Sequence, residues 1–133
     1  MAQMNSLAIA LSALLGFLVV CLWYGPLFGH AWRRAAGLSI SNFKRPSAPI
    51  LYGGAMLYSI LAAVFVGHLL ANFPGRPAHV YLMITGGIGL GFILPTLGLR
   101  CLFMQTSKQI LYIDVAGWTL FYLVMGVVYA FLG

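Results

Sequence analysis

Residues 6–24, SLAIALSALLGFLVVCLWY, carry no charge, and Ser6, Ser12 and Gly16 are the only breaks in an otherwise apolar and aromatic run. A helix of about 19 residues rises ~28 Å, close to the ~30 Å hydrocarbon core of a bilayer. Backbone groups in lipid must be paired within the segment, and the run is too long for a barrel strand, so it reads as a transmembrane helix. Three more runs of comparable length follow, at about 50–71, 80–104 and 110–132. The fold class expected is an all-α integral membrane protein: four transmembrane helices in an antiparallel bundle, forming one domain over residues 1–133.

Composition excludes the soluble alternative. Of 133 residues, 62% are apolar and 6% charged, with a mean hydropathy of +1.01, which leaves too few polar side chains to cover a globule. The pI near 9.8 does not indicate nucleic acid, because the seven basic residues sit between apolar runs instead of clustering on one solvated face. Two cysteines, Cys21 and Cys101, lie within apolar runs and offer no disulfide framework. The opening MAQMNS is uncharged and the run behind it exceeds a signal-peptide core, so the first helix is expected to be retained, with Asn5 or Ser6 as its N-cap.

The basic residues set the orientation. Arg33, Arg34, Lys44 and Arg45 fall between the first two runs, Arg100 and Lys108 at the third connection, and only Arg76 at the second. The positive-inside rule then places connections 25–49 and 105–109 in the cytoplasm and both termini outside. The second connection, NFPGRPAHV at 72–80, has the chemistry of a tight turn and predicts that helices two and three are neighbours. QTSK at 105–108 predicts an equally tight hairpin of helices three and four.

Only the first connection has room for structure of its own. In PLFGHAWRRAAGL, residues 26–38, Leu27, Phe28, Ala31, Trp32 and Ala35 share one helical face, while His30, Arg33 and Arg34 lie mostly on the other. Pro26 suits a first helical turn and Gly37 a helix end. The reading is a short amphipathic helix, about 26–37, lying in the cytoplasmic interface. Trp23 and Tyr24 would sit at headgroup level, with Phe28 and Trp32 as anchors. An irregular interfacial loop is the alternative.

WYGPLFGHAWRRAAGLS at 23–39, with its Trp-Tyr-x-Pro-x-Phe-Gly-x-x-Trp pattern, GFILPT at 91–96 and IDVAGWTL at 113–120 with a later MG resemble domain-of-unknown-function family 1761, small bacterial membrane proteins, and the resemblance implies the bacterial inner membrane as the location. The resemblance spans essentially the whole chain. It implies special roles for Trp23, Tyr24, Pro26, Phe28, Gly29, Trp32 and Gly37, then for Gly91, Phe92, Pro95, Asp114 and Gly126. The chain departs from the family pattern after helix three, where LFMQTSK stands in place of a Leu-Phe pair followed by an acid. The resemblance implies an architecture and no activity.

Asp114 is the single acidic residue, about six residues or ~9 Å beyond the cytoplasmic end of helix four at Lys108. A carboxylate at that depth is costly unless paired or wetted. Arg100, at similar depth across the hairpin, is the expected partner in an intramembrane ion pair, with Lys108 facing largely away. The functional alternative makes Asp114 a proton or cation site, although His68 is the only other ionisable group well inside a run.

Other candidates are weaker. Cys21, Cys101 and Met104 share a depth suited to Cu(I), but no Cys-x-x-Cys or His-Cys spacing fixes a site, and apolar packing is the simpler reading. His68 has the look of a pigment or haem ligand, against a plain interfacial histidine; His30 and His79 are loop residues. No nucleophile, base and acid stand together and no phosphate loop occurs, so no catalytic residue, cofactor or metal is expected, and the chain reads as a non-enzyme.

Small residues mark the seams expected inside the bundle: Ala8, Ser12 and Gly16; Ala63 and Gly67; Gly87 and Gly91. Gly91, Pro95 and Gly98 predict a kink in helix three. Two functions fit: a non-catalytic interaction or accessory module, with the bilayer and a homo-oligomer or larger membrane complex as partners; or an oligomeric transporter or channel using Asp114 or the glycine-rich third helix.

Overall fold

The computed structural model describes residues 6–37 and 47–132. The expected N-cap Asn5 and the basic residues Lys44 and Arg45 lie outside the described residues. Helix α1 covers Ser6–Leu22 and passes through a widened turn, Trp23–Leu27, into the short α2, Gly29–Ala35. Helix α3 is Ala48–Leu70; α4 is Ala78–Ile88, continued through a π-helical turn at Gly89–Ile93 into α5, Leu94–Met104; and α6 is Lys108–Leu132. Four stretches, Ser6–Leu27, Ala48–Leu70, Ala78–Met104 and Lys108–Leu132, are long and apolar enough to cross a membrane.

Local chemistry accounts for the boundaries. Gly25 takes a non-helical conformation (φ −100°, ψ −105°) just ahead of Pro26, and the Phe28 N–H reaches back to the Trp23 carbonyl at 2.8 Å. The short helix therefore starts at Gly29, three residues later than Pro26 suggested. Gly37, at φ +75°, ends it in the left-handed region that glycine adopts without a Cβ clash. Gln105 adopts φ +54° after α5, and the Ser107 hydroxyl accepts the Gln109 N–H at 3.1 Å to cap α6.

Pro95 has no N–H to offer the carbonyl one turn back, and the helix answers with the π turn at Gly89–Ile93. The break expected in helix three thus takes the form of a widened turn ahead of the proline. The Thr96 hydroxyl donates to the Phe92 carbonyl at 2.6 Å, pairing one of the backbone groups in this region.

Helix α6 is the hub. Its buried positions, Ile110, Ile113, Asp114, Gly117, Phe121, Met125, Val128 and Tyr129, recur at three- and four-residue steps and form one stripe. Helix α6 packs along α1 on one side and along α4 and the π turn on the other, while α3 leans mainly on α1. Ala8, Ser12 and Gly16 of α1 and Ala63 and Gly67 of α3 are buried, as their spacing predicted. The Tyr129 hydroxyl donates to the Ala63 carbonyl at 3.1 Å, tying α6 to the C-terminal half of α3.

Two expectations need correction. Helices two and three, although joined by a short turn, form no extended seam, because α3 turns its small-residue face to α1 and α4 turns Tyr81 and Thr85 into the core with α6. The seam of helix three is also not Gly87 and Gly91, which are exposed with open space where a Cβ would stand. It is Gly89, where a Cβ would run into Thr119, with Gly86 close to Leu123. The buried side of this helix carries Tyr81, Thr85 and Gly89, one step of four after another, which puts Gly87 and Gly91 on its outer side.

Candidate functional site at Asp114

Asp114 belongs to the buried stripe of α6 and is 6% exposed. The helix aims its carboxylate at the elbow between α1 and α2. The Tyr24 hydroxyl donates to Oδ1 at 2.5 Å and the Trp32 indole N–H donates to the same oxygen at 3.1 Å. Oδ2 faces the Arg100 guanidinium at 3.8 Å, at the long end of ion-pair distances, and the arginine side chain is 55% exposed. Close hydrogen bonds therefore come from the elbow, and Arg100 adds a looser charge from α5. Lys108, the other basic residue considered beside Asp114, is exposed at the start of α6.

A third donor closes the elbow onto α6. The Trp23 indole N–H bonds the Ile113 carbonyl at 2.9 Å, one residue before the aspartate. Gly117, one turn further on, makes this possible: a Cβ there would stand 2.5 Å from the Trp23 ring. Phe28 packs on Trp23 with ring centroids 4.3 Å apart, and Tyr24 meets Trp32 edge-on at 6.0 Å. At Gly29 a Cβ would lie 2.5 Å from the Tyr24 carbonyl, so the chain can double back only with glycine there.

The geometry gives roles to most positions of the Trp-Tyr-x-Pro-x-Phe-Gly-x-x-Trp stretch at 23–32. Trp23, Tyr24 and Trp32 supply donors, Phe28 backs Trp23, Gly29 gives clearance, and Gly25 with Pro26 makes the turn. This changes the reading of the elbow as a set of membrane anchors. The polar atoms of Trp23, Tyr24 and Trp32 point inward to α6, because a buried indole or phenol needs an acceptor and the chain holds one carboxylate. Of the other positions implied by resemblance, Gly126 packs against Thr85, where a Cβ would clash, while Gly91 and Phe92 within the π turn and Pro95 just after it are exposed.

Residues 7–130 match the family described as a protein of unknown function, DUF1761. The chain belongs to this family. No curated protein and no solved structure matches it.

The remaining candidates stand apart from Asp114. Cys101 is buried and its thiol points to the Thr106 carbonyl at 3.3 Å, Cys21 is half-buried on α1, and Met104 is exposed. Among the described residues, no three His, Cys, Asp or Glu side chains converge. His68 is exposed near the end of α3, where its carbonyl accepts the Asn72 side-chain amide at 2.9 Å. His30 sits on α2 with its Nδ1 3.3 Å from Arg33, and His79 is exposed in the first turn of α4.

Sequence reasoning paired Asp114 with Arg100 and missed Tyr24 and Trp32. The signal was available: three aromatic hydrogen-bond donors within ten residues and one acid in the chain, which accepts from two of them while Trp23 donates to the Ile113 carbonyl.

Proposed function

We propose that this DUF1761 member is a multi-pass protein of the bacterial inner membrane, with both termini outside and the elbow cytoplasmic. In this reading it is a non-catalytic packing or accessory module, working as a homo-oligomer or within a larger membrane complex. The observation that carries the reading is the engagement of Asp114, the chain's one acid, by Tyr24, Trp32 and Arg100. A proton relay or a hydrolytic site needs an acid open to water or substrate, and this one is 6% exposed with one oxygen taken by two donors. Here the carboxylate holds the elbow closed against α6.

The test combines topology with flux. Single cysteines introduced near either terminus of a Cys21→Ser/Cys101→Ser chain are expected to react with an impermeant maleimide from outside intact cells. Purified protein in proteoliposomes should pass protons or monovalent cations no faster than empty vesicles. A robust flux that Asp114→Asn abolishes at normal protein level would establish transport instead.

That second reading, an oligomeric transporter, has one observation in its favour: the π turn at Gly89–Ile93, since such widened turns recur at functional sites. It predicts that Gly89→Ala, reconstituted at normal level, loses whatever flux the parent shows.

A further inference from the structure

The buried residues of helix α3, Ser59, Ala63, Val66, Gly67 and Leu70, lie in its C-terminal half, and its first turns touch α1 through the edge-on contact of Tyr52 with Phe17 at 6.4 Å. Towards its start, Ile50, Leu57 and Tyr58 are 71%, 65% and 72% exposed, and Gly53 and Gly54 have nothing within 4 Å of a Cβ position. Between α3, α1 and α6 runs a groove of about 770 Å³ walled by Val20, Ala55, Phe65, Trp118, Phe121 and Tyr122. A second hollow of about 240 Å³ shares Val20, Leu51 and Ala55 with it and reaches Gly25 and Pro26 of the elbow. The two share a wall and form one track that ends at Gly25 and Pro26.

From Phe65 back to Ile50 the track follows fifteen residues of α3. That is ~22 Å of helix, more than the ~15 Å depth of one leaflet. The track stops at Gly25 and Pro26, and the elbow that they open carries Arg33 and Arg34 in the last turn of α2 and is bonded to Asp114, the chain's one acid, which Arg100 faces at 3.8 Å. A second copy of the chain seated side by side in the same orientation would bring the same cationic end against this one. An anionic phospholipid meets both features, with an acyl chain in the groove and a phosphate at the elbow.

We propose that the α1–α3–α6 groove binds an anionic phospholipid, with its headgroup held at Arg33 and Arg34. This rests on the membrane-embedded reading, which the cysteine-accessibility experiment tests independently. Native mass spectrometry of the detergent-solubilised protein, offered equal amounts of phosphatidylglycerol and phosphatidylcholine with identical chains, reads the selectivity. Phosphatidylglycerol should be retained in preference, and Arg33→Gln with Arg34→Gln should reduce that preference by roughly fivefold for each charge removed. Ala55→Phe with Ala62→Phe, which fills the groove from its lining, should lower retention of both lipids. Equal retention of the two lipids by the parent overturns the headgroup assignment. Unchanged retention in the filled-groove variant, or its conversion from dimer to monomer, overturns the groove assignment and points to a second copy as the occupant.

Discussion

The Tyr24 hydroxyl and the Asp114 carboxylate, 90 residues apart in sequence, meet at 2.5 Å and tie the first helical span to the last. With Trp32 on the same oxygen, they make the elbow a clasp on α6. Hydrogen bonds to a charged partner contribute ~1.5–3 kcal/mol where they are shielded from water. Tyr24→Phe and Trp32→Phe are each expected to lower the thermal midpoint of the purified protein by several degrees while leaving helix content by circular dichroism unchanged. A Tyr24→Phe protein that melts with the parent would remove the clasp from the argument.

Arg100 should matter less. At 3.8 Å its guanidinium stands beyond hydrogen-bond distance of the carboxylate, whereas the Tyr24 hydroxyl makes a charge-assisted bond at 2.5 Å. Arg100→Gln is therefore expected to shift the melting midpoint by clearly less than Tyr24→Phe. The reverse order would make the ion pair, and not the elbow, the main partner of the carboxylate.

The glycines divide sharply. At Gly117 and Gly126 a Cβ would enter Trp23 and Thr85, whereas at Gly87 and Gly91 it would meet nothing. Overpacking costs ~1–3 kcal/mol, and removing a glycine from an open helical position gains up to ~1 kcal/mol. Gly117→Ala and Gly126→Ala should destabilise, Gly87→Ala and Gly91→Ala should be neutral or stabilising, and Gly117→Ala alone should alter tryptophan emission by displacing the indole of Trp23. Thermal melts and emission spectra of the four proteins check the pattern.

This division also shows where the sequence was legible. Helix positions follow from apolar length, so the four spans emerge within a few residues, and Pro95 announces its break because a missing N–H has a local consequence. The seams of α1 and α3 were readable because a single face holds the small residues. Helix three is different: Gly86, Gly87, Gly89 and Gly91 populate several faces, and only contact with Thr119 and Leu123 shows which are buried. The same limit hid the clasp. Depth along a helix ranked Arg100 first for Asp114, but the direction in which the chain doubles back at Gly25 and Gly29 is a tertiary property, and it brings Tyr24 and Trp32 in ahead of the arginine.

Substitutions at Asp114 itself separate shape from charge. Asparagine keeps a carbonyl at the Oδ1 position, so it can still accept from Tyr24 and Trp32, although neutral bonds are about half as strong as charge-assisted ones. Its amide nitrogen would face Arg100, whose exposed side chain can turn away. Leucine fills similar space and accepts nothing, leaving two donors unpaired at ~1–3 kcal/mol each. Asp114→Asn is thus expected to accumulate and keep the elbow closed, while Asp114→Leu should lose stability and open the Gly25–Gly37 segment to limited proteolysis in detergent. If the two variants are cleaved alike, the negative charge and not the hydrogen-bond geometry holds the elbow. Arg100→Gln should then reproduce the defect, because its partner's charge would be the interaction that had been removed.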